Sequence, residues 1–408
     1  MTSNRLTAFR GKLLPVLLLI LPTWASISDA APRKPTLDAE VVERLPLRSG
    51  DKANRELAVL QAELRVAGQS PQPAADLAQR YFDLAVARGD PRYVGYAEAV
   101  IARFSAPLPA PLRAVRGQLR QYRHDFAGAL EDFAAALAAD PELADAHAWR
   151  GAIFLVQADY AAAQKECEAL LHLNRTVLHG GCFGLLQAYG GKLEAGQQSL
   201  QKALSATVAA GNRLWLLTRL GEVAEWRGQP KVAEKHYREA LGLGRDDGYL
   251  LAAWGDFLID AGRPEDVLKD LAGWEASDNL LLRLAEAEAA LKRPGAARLA
   301  QMLEDRFAAA KQRGDTTHQA EEARYQLRLR GNAKEALRLA IENYRVQREP
   351  RDARILLEAA IAAGDAAAAK PVRDWLQSSG FEDARLRDLG QQLCSAVSPC
   401  GTAVVIRR

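Results

Sequence analysis

An excess of charge of one sign is missing from this chain. Its 408 residues carry 54 lysines and arginines against 51 acids, a formal +3, so no polybasic surface for nucleic acid is expected. Glycine (30) and proline (18) are too few for a collagen-like or low-complexity chain, and 49% hydrophobic residues is far too many for a disordered one. Catalytic signatures are missing too. There is no H-E-x-x-H, no G-x-S-x-G, no phosphate-binding P-loop and no G-x-G-x-x-G, since the segment from Gly242 to Gly248 has the wrong last spacing. The six histidines are scattered along the chain, mostly on helix faces, where a solvated or packed role is expected. Past the first thirty residues no apolar run is long enough to span a bilayer. β-Branched runs are scarce, and only four cysteines occur.

The first thirty residues read as an address. Arg5, Arg10 and Lys12 precede the almost wholly apolar Leu13–Leu21, and small residues follow around Ala25, Ser28, Ala30 and Ala31. A basic start, a short apolar run and a small-x-small site describe a secretory signal peptide, with cleavage expected after Ala30. The apolar run is about half the roughly 20 residues of a membrane anchor, and Pro15 and Pro22 lie within or beside it. No cysteine follows it, which disfavours a lipoprotein. Removing 1–30 takes three bases and one acid and leaves the mature chain near +1. An exported, periplasmic or secreted protein is expected.

From residue 50 onward Ala, Leu, Glu, Arg and Gln dominate, and breakers such as Gly89-Asp90-Pro91, Gly228-Gln229-Pro230 and Gly262-Arg263-Pro264 interrupt them at helix-length intervals. That pattern predicts a run of helical hairpins. The spacing is also self-similar. Gly117 is followed by Ala129, Phe133 and Ala136, and thirty-four residues on Gly151 is followed by Ala163, Cys167 and Leu170 at the same offsets. Gly184 heads a looser copy with Gly196, Leu200 and Ala203; Gly221 heads Ala233, Tyr237 and Ala240; Gly255 comes another 34 residues later. A small residue on each helix of a hairpin lets the pair approach closely, and the aromatic four residues after Ala129 or Ala233 fills the groove toward the next hairpin. One hairpin cannot bury its apolar face alone, so neighbours stack.

These residues resemble the tetratricopeptide repeat at its small-residue positions. The resemblance implies an all-α, right-handed α-solenoid of roughly ten stacked antiparallel hairpins. The organisation expected is a signal peptide (1–30), a divergent helical segment (31–109), a clear array (110–275), degenerate hairpins (276–390) and a tail (391–408). The repeats leave no room for a second core, so an enzyme is not expected and no cofactor is implied.

Cys167, Cys182, Cys394 and Cys400 are an even set in a chain expected outside the cytosol, which suggests disulfides. Proximity favours Cys167–Cys182, joining one hairpin to the next, and Cys394–Cys400 at the C-terminus. Buried thiols are the alternative. A third reading notes His172 and His179 between the first pair, a Cys167, His172, His179, Cys182 set that zinc or copper accepts, although the spacing fits no standard knuckle.

In the family, helix residues opposite the packed glycine line a concave groove that receives peptides. Carried over position by position, they are Gln118, Gln121 and Tyr122; Ala152, Leu155 and Val156; Leu185, Ala188 and Tyr189; Trp215, Thr218, Glu222, Glu225 and Trp226; Tyr249, Asp256, Ile259 and Asp260. Aromatics recur among them and carboxylates gather late, which favours a basic or amine-bearing partner. The expected role is a non-catalytic scaffold or adaptor of the bacterial cell envelope, binding other envelope proteins in that groove. An envelope polysaccharide- or metal-binding module is the alternative.

Overall fold

The turns set the architecture. Each turn between the two helices of a hairpin in the array contains one residue in the left-handed region: His124 (φ 59°), Ala158 (φ 60°), Gly191 (φ 78°), Gly228 (φ 68°) and Gly262 (φ 68°). The spacing of these five follows the period of the sequence. The next residue starts the second helix. Asp125 and Asp159 cap theirs, accepting from the backbone N–H groups of Gly128 at 3.1 Å and Ala162 at 3.0 Å. Pro230 and Pro264 occupy first helical positions, where a missing N–H costs nothing.

The computed structural model describes residues 52–396, with side chains as far as Leu393. The leader expected over 1–30 and the Cys394–Cys400 pairing lie outside the described residues. Among the described residues there are twenty helices and no strand. After α1 (Lys52–Ala67) the helices pair as α2 (Pro71–Arg88) with α3 (Arg92–Ile101), α4 (Ala110–Tyr122) with α5 (Phe126–Ala139), and α6 (Ala144–Val156) with α7 (Tyr160–His172). Next come α8 (Thr176–Tyr189) with α9 (Leu193–Ser205), α10 (Ala210–Trp226) with α11 (Pro230–Leu241), and α12 (Gly248–Asp260) with the short α13 (Pro264–Asp270). The last hairpins are α14 (Asp278–Ala290) with α15 (Gly295–Gln312), α16 (Gln319–Arg328) with α17 (Ala333–Val346), and α18 (Pro350–Ala363) with α19 (Lys370–Ser379), followed by α20 (Ala384–Ala396). None of the described helices is long and apolar enough to cross a membrane.

Close approach of the paired helices explains the repeated glycines. A methyl group on Gly221 would sit 2.5 Å from the ring of Tyr237, and one on Gly117 would sit 2.7 Å from the ring of Phe133. Both rings are completely buried. Each therefore lies on the glycine of its own hairpin, and Tyr237 also reaches forward, with ring centroids 6.1 Å from Trp254 and 5.8 Å from Phe257 of α12. The second copy has Cys167 where the first and fourth have an aromatic. It bonds Cys182 across the step from α7 to α8 with 5.6 Å between the Cα atoms, a covalent link where Tyr237 uses ring packing. A loop of that length contributes about 3 kcal/mol by the chain-entropy account.

The hairpins do not leave an open concave face. They curl until late helices meet early ones. α2 lies against α12, where a side chain on Gly248 would come within 3.0 Å of the Val86 carbonyl. The amide of Arg348 donates to the Val156 carbonyl at 2.8 Å, the indole N–H of Trp375 donates to the Tyr160 hydroxyl at 2.7 Å, and Gly191 abuts the backbone at Gly380. The turns of the early hairpins thus rest on the segment from 347 to 381.

Replacing Gly221 by Ala is expected to lower stability by about 1–3 kcal/mol, because the Tyr237 ring has nowhere to go. Gly95→Ala, on an exposed helix position with nothing near, is expected to raise it by about 0.5–1 kcal/mol. Denaturant unfolding of the two variants distinguishes them.

Candidate functional site

Three helices of the array bring the late part of the stripe together. α8 contributes Tyr189, α10 contributes Glu222, Glu225 and Trp226, and α12 contributes Tyr249, Asp256 and Asp260. All seven line one cavity of about 640 Å³. Its opposite wall comes from much later in the chain: Glu349, Arg351 and Arg354 at the start of α18, and Asp383, Arg385 and Asp388 at the start of α20.

The local sequence puts those arginines there. α18 opens with Pro350 and a capping box in which Asp352 accepts from the amide of Glu349 at 3.0 Å. That fixes the first turn, so Arg351 and Arg354, three residues apart, share a face. α19 ends at Gly380 in the left-handed region (φ 66°), which turns the chain and buries Phe381. Its ring centroid lies 5.3 Å from Trp226, 6.3 Å from Tyr189 and 5.2 Å from Trp375.

Charges pair across the cavity. Asp260 accepts both guanidinium nitrogens of Arg354 at 2.7 and 2.8 Å, and Arg385 as well. Asp256 is bound by Arg283 and Arg324, each at 2.6 Å. Burial works to raise the Asp256 pKa, but the two guanidinium groups outweigh it and hold the carboxyl well below its usual range. Glu222 accepts from Arg219 at 2.8 Å and from the Tyr249 hydroxyl at 2.6 Å. Tyr249 itself is sandwiched, with the guanidinium carbons of Arg219 and Arg351 4.3 and 4.6 Å from its ring centre. Burial raises its pKa far above that of a free phenol despite the two arginines.

Glu225 differs. It accepts one hydrogen bond, from the Tyr237 hydroxyl, and none of the arginines of the cavity pairs with it. Burial pushes its pKa up to about 8; the hydrogen bond from Tyr237 opposes this, and the charges of Asp260, Glu222 and Asp256 add to it. A neutral carboxyl is the resting form near neutrality.

The groove expected from the sequence is thus assembled only in part. Tyr189, Glu222, Glu225, Trp226, Tyr249 and Asp256 come together, but they face the chain's own later helices and not an open channel. Four positions lie elsewhere. Gln118 is buried and exchanges amide hydrogen bonds with Gln79 at 2.9 Å. Tyr122 packs edge-on to Phe82, with burial pushing its phenol up to about 12, and Leu155 is buried in the core. Trp215 lies over Gly181 of α8, whose missing side chain makes room for the indole. These residues serve packing between neighbouring helices, the other use for large side chains on a stacked array. Sequence reasoning missed Arg351, Arg354, Phe381 and Arg385. The signal was there in the basic residues following Pro350, with nothing to say what they would face.

The Cys167–Cys182 bond takes both sulfurs of the possible metal set. His179 turns its Nδ1 to the Cys167 carbonyl at 2.9 Å, and His172 is exposed. Among the described residues no group of three or more His, Cys, Asp or Glu side chains is placed to hold a metal ion.

Fold and site together define an all-α solenoid of tetratricopeptide-like helical hairpins, closed on itself around an acidic and aromatic cavity. No protein-family model matches the chain, and no curated protein does. Among solved structures, the crystal structure of the P58(IPK) TPR domain aligns at 15% identity over 85% of this chain and 98% of that one, with a TM-score of 0.23. The helices themselves, not that slight likeness, establish the fold.

The pKa shifts set the pH dependence. Glu225 binds its proton more tightly folded, at about 8, than as an ordinary Glu at 4.5, so its contribution is present at low pH and lost as pH rises through that window. Asp256 and Asp260, held below 3.8, act the other way and lose their contribution in acid. Stability is therefore expected to peak near pH 4–5 and to decline toward pH 8, and Glu225→Gln should flatten the decline. Thermal unfolding from pH 4 to 9 reads it, and an unchanged slope in the variant would remove Glu225 from the account.

Proposed function

We propose that the protein is a non-catalytic interaction scaffold of the cell envelope, exported by its N-terminal segment, and that the acidic and aromatic stripe of α8, α10 and α12 engages a basic, aromatic-bearing segment of a partner protein. One observation carries this reading: the chain itself supplies a segment of that chemistry. Phe381 sits among Tyr189, Trp226 and Trp375, and Arg385, four residues on, pairs with Asp260. A surface that holds an aromatic and an arginine in cis is chemically suited to hold them in trans. A structural disulfide fits an oxidising compartment, where such bonds persist. Rigid hairpins without a catalytic constellation suit a binding role, although fold alone never assigns one.

Cross-linking and affinity purification of the tagged protein from its own envelope fraction tests the proposal. Phe381→Ala with Arg385→Ala uncovers the stripe and is expected to increase partner capture. Trp226→Ala removes an anchor and is expected to reduce it. If no specific protein is enriched by the wild type or by either variant, the scaffold reading fails.

A further inference from the structure

Carboxylates outnumber arginines in the wall of the central cavity by seven to three, yet the imbalance is not evenly felt. Glu222 has Arg219, Asp256 has Arg283 and Arg324, and Asp260 has Arg354. Glu225 lines the same cavity with the Tyr237 hydroxyl on one oxygen and no ion pair. Beside it stand the aromatic walls Trp226 and Phe257, and the cavity reaches the surface at Gly228 and Asp388, both exposed. A volume of about 640 Å³ falls within the roughly 300–1,000 Å³ of small-molecule sites.

The geometry points to this cavity as a binding site for a primary alkylammonium group, with Glu225, which releases its proton as the ammonium binds, as its counter-ion and the rings of Trp226 and Phe257 lying along its methylenes. The site consists of a cavity open at one side, an aromatic wall and a carboxylate without the cation that Glu222, Asp256 and Asp260 have. A guanidinium is the poorer fit, because its planar fork seeks both oxygens of a carboxylate and Tyr237 already holds one. A compact ammonium needs a single strong acceptor, and aromatic faces suit its charge. A metal ion is disfavoured by the donor set, since Glu222, Asp256 and Asp260 are committed to arginines. The ammonium can arrive on a free alkylamine or at the end of a partner's lysine; the chemistry at Glu225 is the same.

Isothermal titration of the full chain separates the two sources. The probes are cadaverine, the peptide acetyl-Gly-Lys-Gly-amide, and pentanediol as an uncharged match for the diamine. Glu225→Gln keeps the acceptor for Tyr237 and so should keep the fold, checked by its unfolding temperature. Saturable one-site binding of at least one ammonium probe is expected. It should weaken about tenfold or more in Glu225→Gln, and pentanediol should give no binding. Tighter binding of the peptide assigns the site to a protein lysine, and tighter binding of cadaverine assigns it to a free amine. Absence of saturable binding by either ammonium probe at millimolar concentration, or equal binding by Glu225→Gln, overturns the proposal. This inference does not depend on the scaffold reading, which partner capture tests separately.

Discussion

Asp260 lies at the end of α12 and its arginine partners lie in α18 and α20, with Arg354 94 positions further along the chain. That pairing across the closed solenoid is the contact on which the arrangement of the site depends. A carboxylate drawn partly out of water needs compensation, and bidentate guanidinium pairing supplies it. Asp256 with Arg283 and Arg324, and Glu222 with Arg219 and Tyr249, repeat the solution along the same stripe. Such pairs add little net stability over a well-packed apolar alternative, but removing one partner leaves a costly charge. The Asp260 pairs, which join distant helices, therefore favour the closed arrangement over an open one. Packing then completes it, with Phe381 seated against Trp226 and Tyr189.

A second constraint acts within each hairpin. Helices that meet at Gly117–Phe133 or Gly221–Tyr237 have no spare space, so the step from one hairpin to the next is fixed by rigid side chains. Where the second repeat lacks the aromatic, a disulfide takes its place. Stiff steps let curvature accumulate over several hairpins, which is how α2 comes to rest on α12. The site follows from that accumulation, because its two walls come from parts of the chain that no single hairpin joins.

This explains what could be read in advance. The hairpins were legible because small residues at 34-residue spacing and breakers at helix ends are local signals. Cys167 and Cys182 were legible as neighbours for the same reason. The residues of the stripe were identifiable by position, and their acidity pointed to basic groups opposite them. That those partners include Arg351, Arg354 and Arg385 of the same chain was not legible. Closure depends on the summed rotation of many hairpins, and the C-terminal ones lack the glycine that marks the others. Trp215, expected on the groove, lies over the gap at Gly181, a position between two helices that a large aromatic fills equally well.

The closed solenoid is most directly tested by a double-mutant cycle on Asp260→Asn and Arg354→Gln, read as unfolding free energy in denaturant. The closed arrangement predicts a coupling of about 1–3 kcal/mol between the two positions. Strictly additive effects, as for residues on remote surfaces, would contradict it and return the stripe to an open groove.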